Sequence, residues 1–132
     1  MSTSDAQIRR LVADHLRDIP DFPKPGVLFK DFTPLLADGD ALRAVADHVA
    51  QRYAGRVDAV VGIEARGFIL GAATAYSLGV GFVPVRKAGK LPSETYAATY
   101  TLEYGTATRE IRVAACVEGQ RVLRMDDVLA TG

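Results

Sequence analysis

The chain has 132 residues, 48% of them apolar, with sixteen basic and sixteen acidic side chains that cancel. That suffices for one domain around one core, is too apolar for a disordered chain, and argues against a general nucleic-acid or membrane-surface role, leaving room only for a local basic cluster. The single cysteine, Cys116, excludes an internal disulfide framework and fits a reducing, cytoplasmic compartment; with no activating neighbours it reads as a small apolar residue rather than a nucleophile.

The N-terminus, Met1-Ser2-Thr3-Ser4-Asp5, is polar and carries no signal-peptide pattern. Ser4 or Asp5 is placed to cap a first helix, in which Ile8, Leu11, Val12, His15 or Leu16, and Ile19 recur at helical spacing. Two prolines and a glycine make Asp21-Phe22-Pro23-Lys24-Pro25-Gly26 a loop. Val27 to Phe32 reads as a short extended segment, and Thr33-Pro34 as the start of a brief helical turn. Asp40 is expected to cap a stronger helix with Leu42, Val45, Ala46, Val49 and Tyr53 on one face and Gly55 as its stop.

Val57 to Ile63 lacks polar alternation, as expected of a strand covered on both faces. Gly67 to Leu78 reads as a helix ended by Gly79, and Gly81 to Arg86 as a second strand. Strand, helix and strand in this order predict a right-handed βαβ unit and a parallel sheet. The stretch from Gly67 to Val85 is uncharged and long enough to raise the question of a membrane span. Gly79, Gly81 and Pro84 interrupt it, however, and Thr74, Tyr76 and Ser77 dilute it, so a buried helix followed by a buried strand is the better reading. Lys87 to Glu94 is a basic loop. Thr95 to Tyr104 and Thr106 to Val113 alternate β-formers with polar residues around Gly105, the pattern of an antiparallel hairpin. Glu118-Gly119 makes a turn, and Arg121 to Met125 returns to the sheet. The expected fold is α/β, a parallel sheet flanked by helices with an antiparallel hairpin or hood. A single domain is expected, with N-terminal hood and helices over about 1–36, a core over about 37–132, and a flexible basic loop and hairpin over about 87–113.

Four segments would meet at the carboxyl edge of such a sheet, where ligands of open α/β folds bind. In Glu64-Ala65-Arg66-Gly67, Gly67 can open a helix N-terminus that favours an anion, and Arg66 adds a bidentate donor; alone, the segment also fits an ordinary βα turn with a surface arginine. In Arg86-Lys87-Ala88-Gly89-Lys90, three cations around a glycine suit a polyanion such as pyrophosphate; alone, a solvated loop fits better. In Leu102-Glu103-Tyr104-Gly105, a carboxylate among apolar groups could be positioned for proton transfer; an exposed cross-strand acid fits equally well. Asp126 and Asp127 end an apolar run and could grip sugar hydroxyls or a hydrated divalent cation, while Ala130-Thr131-Gly132 has the composition of an anion nest; a strand end with solvated acids is the plainer alternative. Together the four describe a sugar held by acids, with phosphate groups held by backbone amides and cations.

These segments, with Asp18 to Gly26, Phe29-Lys30-Asp31 and Asp126 to Gly132, resemble the adenine phosphoribosyltransferases of type I phosphoribosyltransferase fold, from the first helix to Gly132. The last of them is similar to the family's phosphoribosyl pyrophosphate motif. The resemblance implies purine salvage: adenine and 5-phosphoribosyl-1-pyrophosphate give AMP and pyrophosphate with Mg²⁺ assistance, in a cytoplasmic homodimer. It implies that Arg66 contacts pyrophosphate, and that Arg86, Lys87 and Lys90 belong to a hood region that also handles it, one basic residue reaching across the dimer interface. Asp126 and Asp127 would hold the ribose hydroxyls, directly or through Mg²⁺ and water, and Ala130, Thr131 and Gly132 would begin the 5′-phosphate loop. Leu28 and Lys30 would present backbone groups to the adenine edge, and Glu103 would act as acid and base on the purine imidazole nitrogen. A non-catalytic nucleotide-binding homologue and an inactive truncated remnant are the competing readings.

Three departures from the family's pattern stand out. The family continues past Gly132 with another glycine, a threonine, a helix and further sheet, so a C-terminally truncated form with weak substrate binding and slight turnover is expected. Arg124 and Met125 stand where small β-branched residues are usual; a buried, unpaired Arg124 would be costly, so it must reach solvent, find a carboxylate or mark a strand not fully covered. Val113-Ala114-Ala115-Cys116 replaces a more polar stretch.

Overall fold

The computed structural model describes residues 3–92, 94–102, 105–112 and 118–127. The described residues up to Arg52 form one compact unit, and Tyr53–Asp127 form a second.

In the first unit, α1 (Asp5–Asp14) begins with a capping box. The Ser4 hydroxyl accepts the Gln7 N–H at 3.2 Å, and the Gln7 side chain accepts the Ser4 N–H at 2.9 Å, so two of the helix's orphan donors are satisfied. The helix stops at Asp14 instead of running to Ile19. Arg17–Ile19 is a strand, β1, paired antiparallel with β2 (Phe29–Asp31) so that Ile19 lies opposite Phe29. Pro20 disfavours helical backbone at Ile19, and the strand pairing supplies the backbone partners that the helix would have supplied.

The expected loop connects β1 and β2. Asp21 has φ +55°, its carboxylate accepts the Gly26 N–H at 2.9 Å, and the Phe22 ring meets the edge of Phe29 at 5.1 Å between centroids. The brief helix α2 spans Thr33–Ala37, and the longer α3 spans Gly39–Tyr53. Asp38, not Asp40, caps α3: its Oδ1 accepts the N–H groups of Asp40 at 3.0 Å and Ala41 at 3.2 Å. The fully buried positions of α3 are Ala41, Ala46 and Ala50, with Leu42, Val45 and Val49 half-buried beside them.

The second unit is a five-stranded sheet in the order β5-β6-β4-β3-β7. Strand β3 (Ala59–Ile63) pairs in parallel with β4 (Gly81–Lys87) on one side and with β7 (Val122–Met125) on the other. The crossover between β3 and β4 is α4 (Arg66–Leu78), closed by Gly79 at φ +74°, where L side chains are strained. This is the expected βαβ unit. Strands β5 (Thr95–Leu102) and β6 (Gly105–Arg112) form the expected antiparallel hairpin, and β6 continues the sheet with Arg86 opposite Glu110. Two details differ from expectation. Lys87 is the last residue of β4 rather than loop, because it pairs with Arg109. Gly105 is a ladder residue opposite Leu102 rather than the turn.

One sheet face carries Ala59, Val61 and Val83, with Val85 and Ile111 packed against them. On the other face lies α4. Gly71 of the helix approaches Gly62 of β3, and the Phe82 ring fills the space beside both glycines and meets the Phe68 ring edge-on at 5.8 Å. A carboxylate fastens the opposite end of β7: Asp58 accepts the Arg121 N–H at 2.8 Å and its Nη2 at 3.1 Å, while the Asp58 N–H donates to the Arg121 carbonyl at 2.7 Å. Arg124 alternates outward and is exposed, whereas Leu123 and Met125 are half-buried; the expected cost of an arginine in this strand is met by solvation. Cys116 and the stretch from Val113 lie outside the described residues.

The two facing glycines differ in what an added methyl would meet. At Gly62 it would lie 2.5 Å from a Phe82 ring carbon and 2.8 Å from the Gly67 carbonyl; at Gly71 its one close contact is the ring, at 2.8 Å. Gly62→Ala is therefore expected to cost about 1–3 kcal/mol in urea unfolding. Gly71→Ala recovers about 1 kcal/mol of helix propensity and should stay near neutral. Equal losses at the two positions would contradict this packing.

Candidate active site

Because β3 pairs in parallel with both neighbours, the carboxyl ends of β4, β3 and β7 share one edge of the sheet. Three of the four sequence-predicted segments therefore converge. Glu64 and Arg66 follow β3, Arg86 and Lys87 end β4 with Lys90 in the turn beyond, and Asp126 and Asp127 follow β7.

Glu64 reaches toward β4. Its side chain is 7% exposed. Oε1 accepts the Lys87 N–H at 2.9 Å and Arg86 Nε at 3.3 Å, and Oε2 accepts Lys90 Nζ at 3.0 Å. Its carboxyl is held down at about 2 by the Lys87 backbone bond first and then by Lys90, against the opposing effect of burial. The basic turn is fixed from its other side as well. The Lys90 N–H donates to the Lys87 carbonyl at 3.3 Å, and Gly89 between them has φ +83°, a conformation that glycine adopts without strain. Glu110 accepts the Gly89 N–H at 2.8 Å and the Thr95 hydroxyl at 2.5 Å; these bonds, Thr95 first, lower its carboxyl below the ordinary range.

Arg66 reaches the other way, toward β7. Its Nε lies 2.9 Å from Asp127 Oδ2, an ion pair whose N–H is not aligned as a hydrogen bond. The Asp127 side chain is 6% exposed and Arg66 is 44% exposed, so the acid is enclosed while the cation faces solvent. The Asp126 carboxylate turns back to accept the Asp127 N–H at 2.8 Å. Burial pushes the Asp126 carboxyl above its ordinary value, and Asp127 adds to this through a hydrogen bond and its like charge, while Arg66 opposes it. Gly67 lets the two segments touch: a methyl there would lie 2.8 Å from the Met125 carbonyl and 3.2 Å from Asp126 Cα. The first turn of α4 thus abuts the backbone step that carries the acids.

No three acids, histidines or cysteines gather into a metal cage among the described residues. Two adjacent carboxylates are instead the donor set of an ion that keeps waters and shares substrate oxygens, the usual binding of Mg²⁺. Asp126 and Asp127 fit such an ion.

The other sequence-predicted residues belong to the first unit or lie outside the described residues. Leu28 and Lys30 belong to the first unit; Leu28 is exposed, and Lys30 Nζ pairs with Asp18 at 2.6 Å. Glu103, Ala130, Thr131 and Gly132 lie outside the described residues. A shallow cleft of ≈ 170 Å³ beside Thr3, Arg43 and His48 contains none of the candidates. Sequence reasoning quoted Glu64 without giving it a task. The available signal was an acid directly after an apolar core strand, two residues from a cation and followed by a second basic segment after the next strand.

The family model described as phosphoribosyl transferase domain matches residues 34–132. The adenine phosphoribosyltransferase of Salinispora tropica is 60% identical over 131 residues, covering 98% of this chain and 69% of its own length. Among solved structures, the adenine phosphoribosyltransferase of Thermoanaerobacter pseudethanolicus superposes with a TM-score of 0.87 at 51% identity, over 95% of this chain and 73% of the other. The Saccharomyces cerevisiae enzyme, crystallised with adenine and an imino-altritol bisphosphate, gives 0.84 at 40% identity, over 92% and 72%. The converging acids and cations, the parallel sheet that carries them and these likenesses agree: the chain belongs to the phosphoribosyltransferase family, within its adenine phosphoribosyltransferases.

Proposed function

We propose that this chain is a purine-salvage transferase that converts adenine and 5-phosphoribosyl-1-pyrophosphate to AMP and pyrophosphate. The observation that carries the reading is the Arg66–Asp127 pair, a cation suited to a departing pyrophosphate and an acid suited to sugar hydroxyls, 2.9 Å apart at one sheet edge. Adenine as acceptor is supported by the likeness to the Salinispora tropica enzyme and by the adenine present in the Saccharomyces cerevisiae structure.

In this reaction the bond from the anomeric carbon to pyrophosphate breaks, its electron pair leaves with the pyrophosphate, and a purine nitrogen takes its place. The transition state concentrates positive charge on the sugar ring and negative charge on the leaving group. Catalysis then rests on positioning and on stabilising the departing anion. Arg66, Arg86, Lys87 and Lys90 supply positive charge to pyrophosphate. Asp126 and Asp127 hold the ribose hydroxyls, and Mg²⁺ bound beside them would neutralise pyrophosphate charge. Ala130, Thr131 and Gly132 begin the 5′-phosphate loop, and Glu103 exchanges the proton of the purine imidazole.

Backbone groups of Leu28 and Lys30 read the adenine edge. Adenine presents an amino donor beside a ring acceptor, and a 6-oxo purine reverses both, leaving buried groups unpaired at about 1–3 kcal/mol each. The working form is a cytoplasmic homodimer in which one hood cation reaches the partner's site. Among the described residues no helix is long and apolar enough to cross a membrane.

A competition assay with adenine and hypoxanthine, phosphoribosyl pyrophosphate and Mg²⁺ tests the function: AMP is expected to dominate, and equal turnover of the two bases would overturn the adenine assignment. Arg66→Gln should lower kcat/KM for phosphoribosyl pyrophosphate by about 10²–10³-fold, the usual loss on removing a donor aimed at developing negative charge; steady-state kinetics checks it. Glu64 adds an acid-side signature. Its folded-state value is depressed, so its stabilisation is complete above its ordinary value of 4.5 and is lost as pH falls through about 2. Thermal unfolding across that window should show Tm dropping toward acid, with a smaller drop in Glu64→Gln than in the parent chain.

A further inference from the structure

Glu64 has no part in the bond-making steps above, yet the basic turn converges on it. The order of burial is informative: the Glu64 side chain is 7% exposed, Arg86 is 36% and Lys90 is 46%. The carboxylate lies on the inside and the cations on the outside. Arg86 engages it through Nε, the nitrogen nearest its stem, and Lys90 through one direction of its ammonium; among the described residues, the end of the guanidinium fork and the remaining ammonium donors have no carboxylate partner besides Glu64 and can meet a group arriving from solvent. The third donor, the Lys87 N–H at 2.9 Å, is backbone and belongs to the last residue of β4. One enclosed acid thus ties two long cationic side chains to the end of β4.

Resting on the transferase reading, we infer that Glu64 is the positioning residue of the pyrophosphate site: it draws Arg86 and Lys90 to the sheet edge, aims their outer donors at the leaving group and touches no substrate itself. The opposite role, an internal anion that pyrophosphate must displace, conflicts with the geometry. An incoming anion meets the outer donors first. Displacing Glu64 would also leave an enclosed carboxylate and the Lys87 N–H without partners, which is costly in a desolvated place. Without the carboxylate, two long cations facing each other across a turn would repel and spread over many rotamers. Each would then have to be ordered again when the ligand binds.

The inference is tested by titrating pyrophosphate with Mg²⁺ into the purified protein by calorimetry, for the parent chain, Glu64→Gln, Lys90→Met and the double variant. Glutamine keeps the size and one acceptor for the Lys87 N–H but loses the charge that gathers the cations. Glu64→Gln is expected to weaken pyrophosphate binding about 5- to 10-fold in the parent, and at most about threefold where Lys90 is already Met, because the acid acts through that cation. A merely structural role would give the same loss in both backgrounds. Glu64→Asp restores charge with a shorter reach and should recover most of the affinity. It also serves if the glutamine variant has no cooperative thermal transition, its smaller loss then being expected to vanish in Lys90→Met. Unchanged or tighter binding in Glu64→Gln, or equal losses with and without Lys90, overturns the assignment alone. A parent chain that binds no pyrophosphate overturns the transferase reading and this assignment with it.

Discussion

Two oppositely charged residues leave the end of β3 in opposite directions, and the candidate site takes its shape from that divergence. Glu64 turns toward β4 and gathers Arg86, the Lys87 N–H and Lys90; Arg66 turns toward β7 and pairs with Asp127. The central strand thereby fastens both neighbours at the edge where ligands of this fold class bind. Each interaction joins an enclosed acid to a more exposed cation. The acids are neutralised, and the outward face of the site keeps its positive charge.

That arrangement depends on close backbone approach, strictest at Gly62 and Gly67, where an added methyl would meet backbone at 2.8 Å. Gly67 lets the first turn of α4 rest against the Met125–Asp126 step, and Gly62 and Gly71 let the same helix approach β3 with the Phe82 ring beside them. The N-terminal half of the helix is therefore seated by two missing side chains one turn apart: at Gly71 the contact sets the core, and at Gly67 it sets the separation of the arginine from the acids. At the far end of the sheet, Asp58 and Arg121 fasten β7 beside β3 by backbone and side chain together. The register of β7, and with it the height of Asp126 and Asp127 relative to Arg66, is thus held at both ends.

Much of this was legible in the residues. The βαβ unit followed from an apolar run, a helical stretch and a second apolar run, and the hairpin from alternation on both sides of Gly105. The misreadings share one cause: local pattern does not report a distant partner. Leu16 and Ile19 continue the spacing of α1, yet Ile19 pairs with Phe29, ten residues on, and so becomes strand. Asp40 reads as the cap of α3, but the carboxylate that meets the free N–H groups is that of Asp38, two residues earlier. Lys87 reads as loop by charge and becomes strand because Arg109 lies opposite. In the site, Arg66, Arg86, Lys90 and the paired acids stood out by type and spacing. Glu64 did not, because an acid among basic residues looks like charge balance until three donors are seen to converge on one carboxylate.

By itself, the order of residues determined the α/β class, the parallel crossover, the hairpin and the segments of acids and cations that resemble a phosphoribosyltransferase, since periodicity, glycine and proline placement and residue chemistry are local properties of the chain. Tertiary structure alone decided which acid meets which cation, which of them is enclosed and how closely α4 approaches β7. Those depend on strand order and on register, which bring together residues as far apart as Arg66 and Asp127, and no pattern along the chain encodes a distance between strands that are not neighbours in sequence.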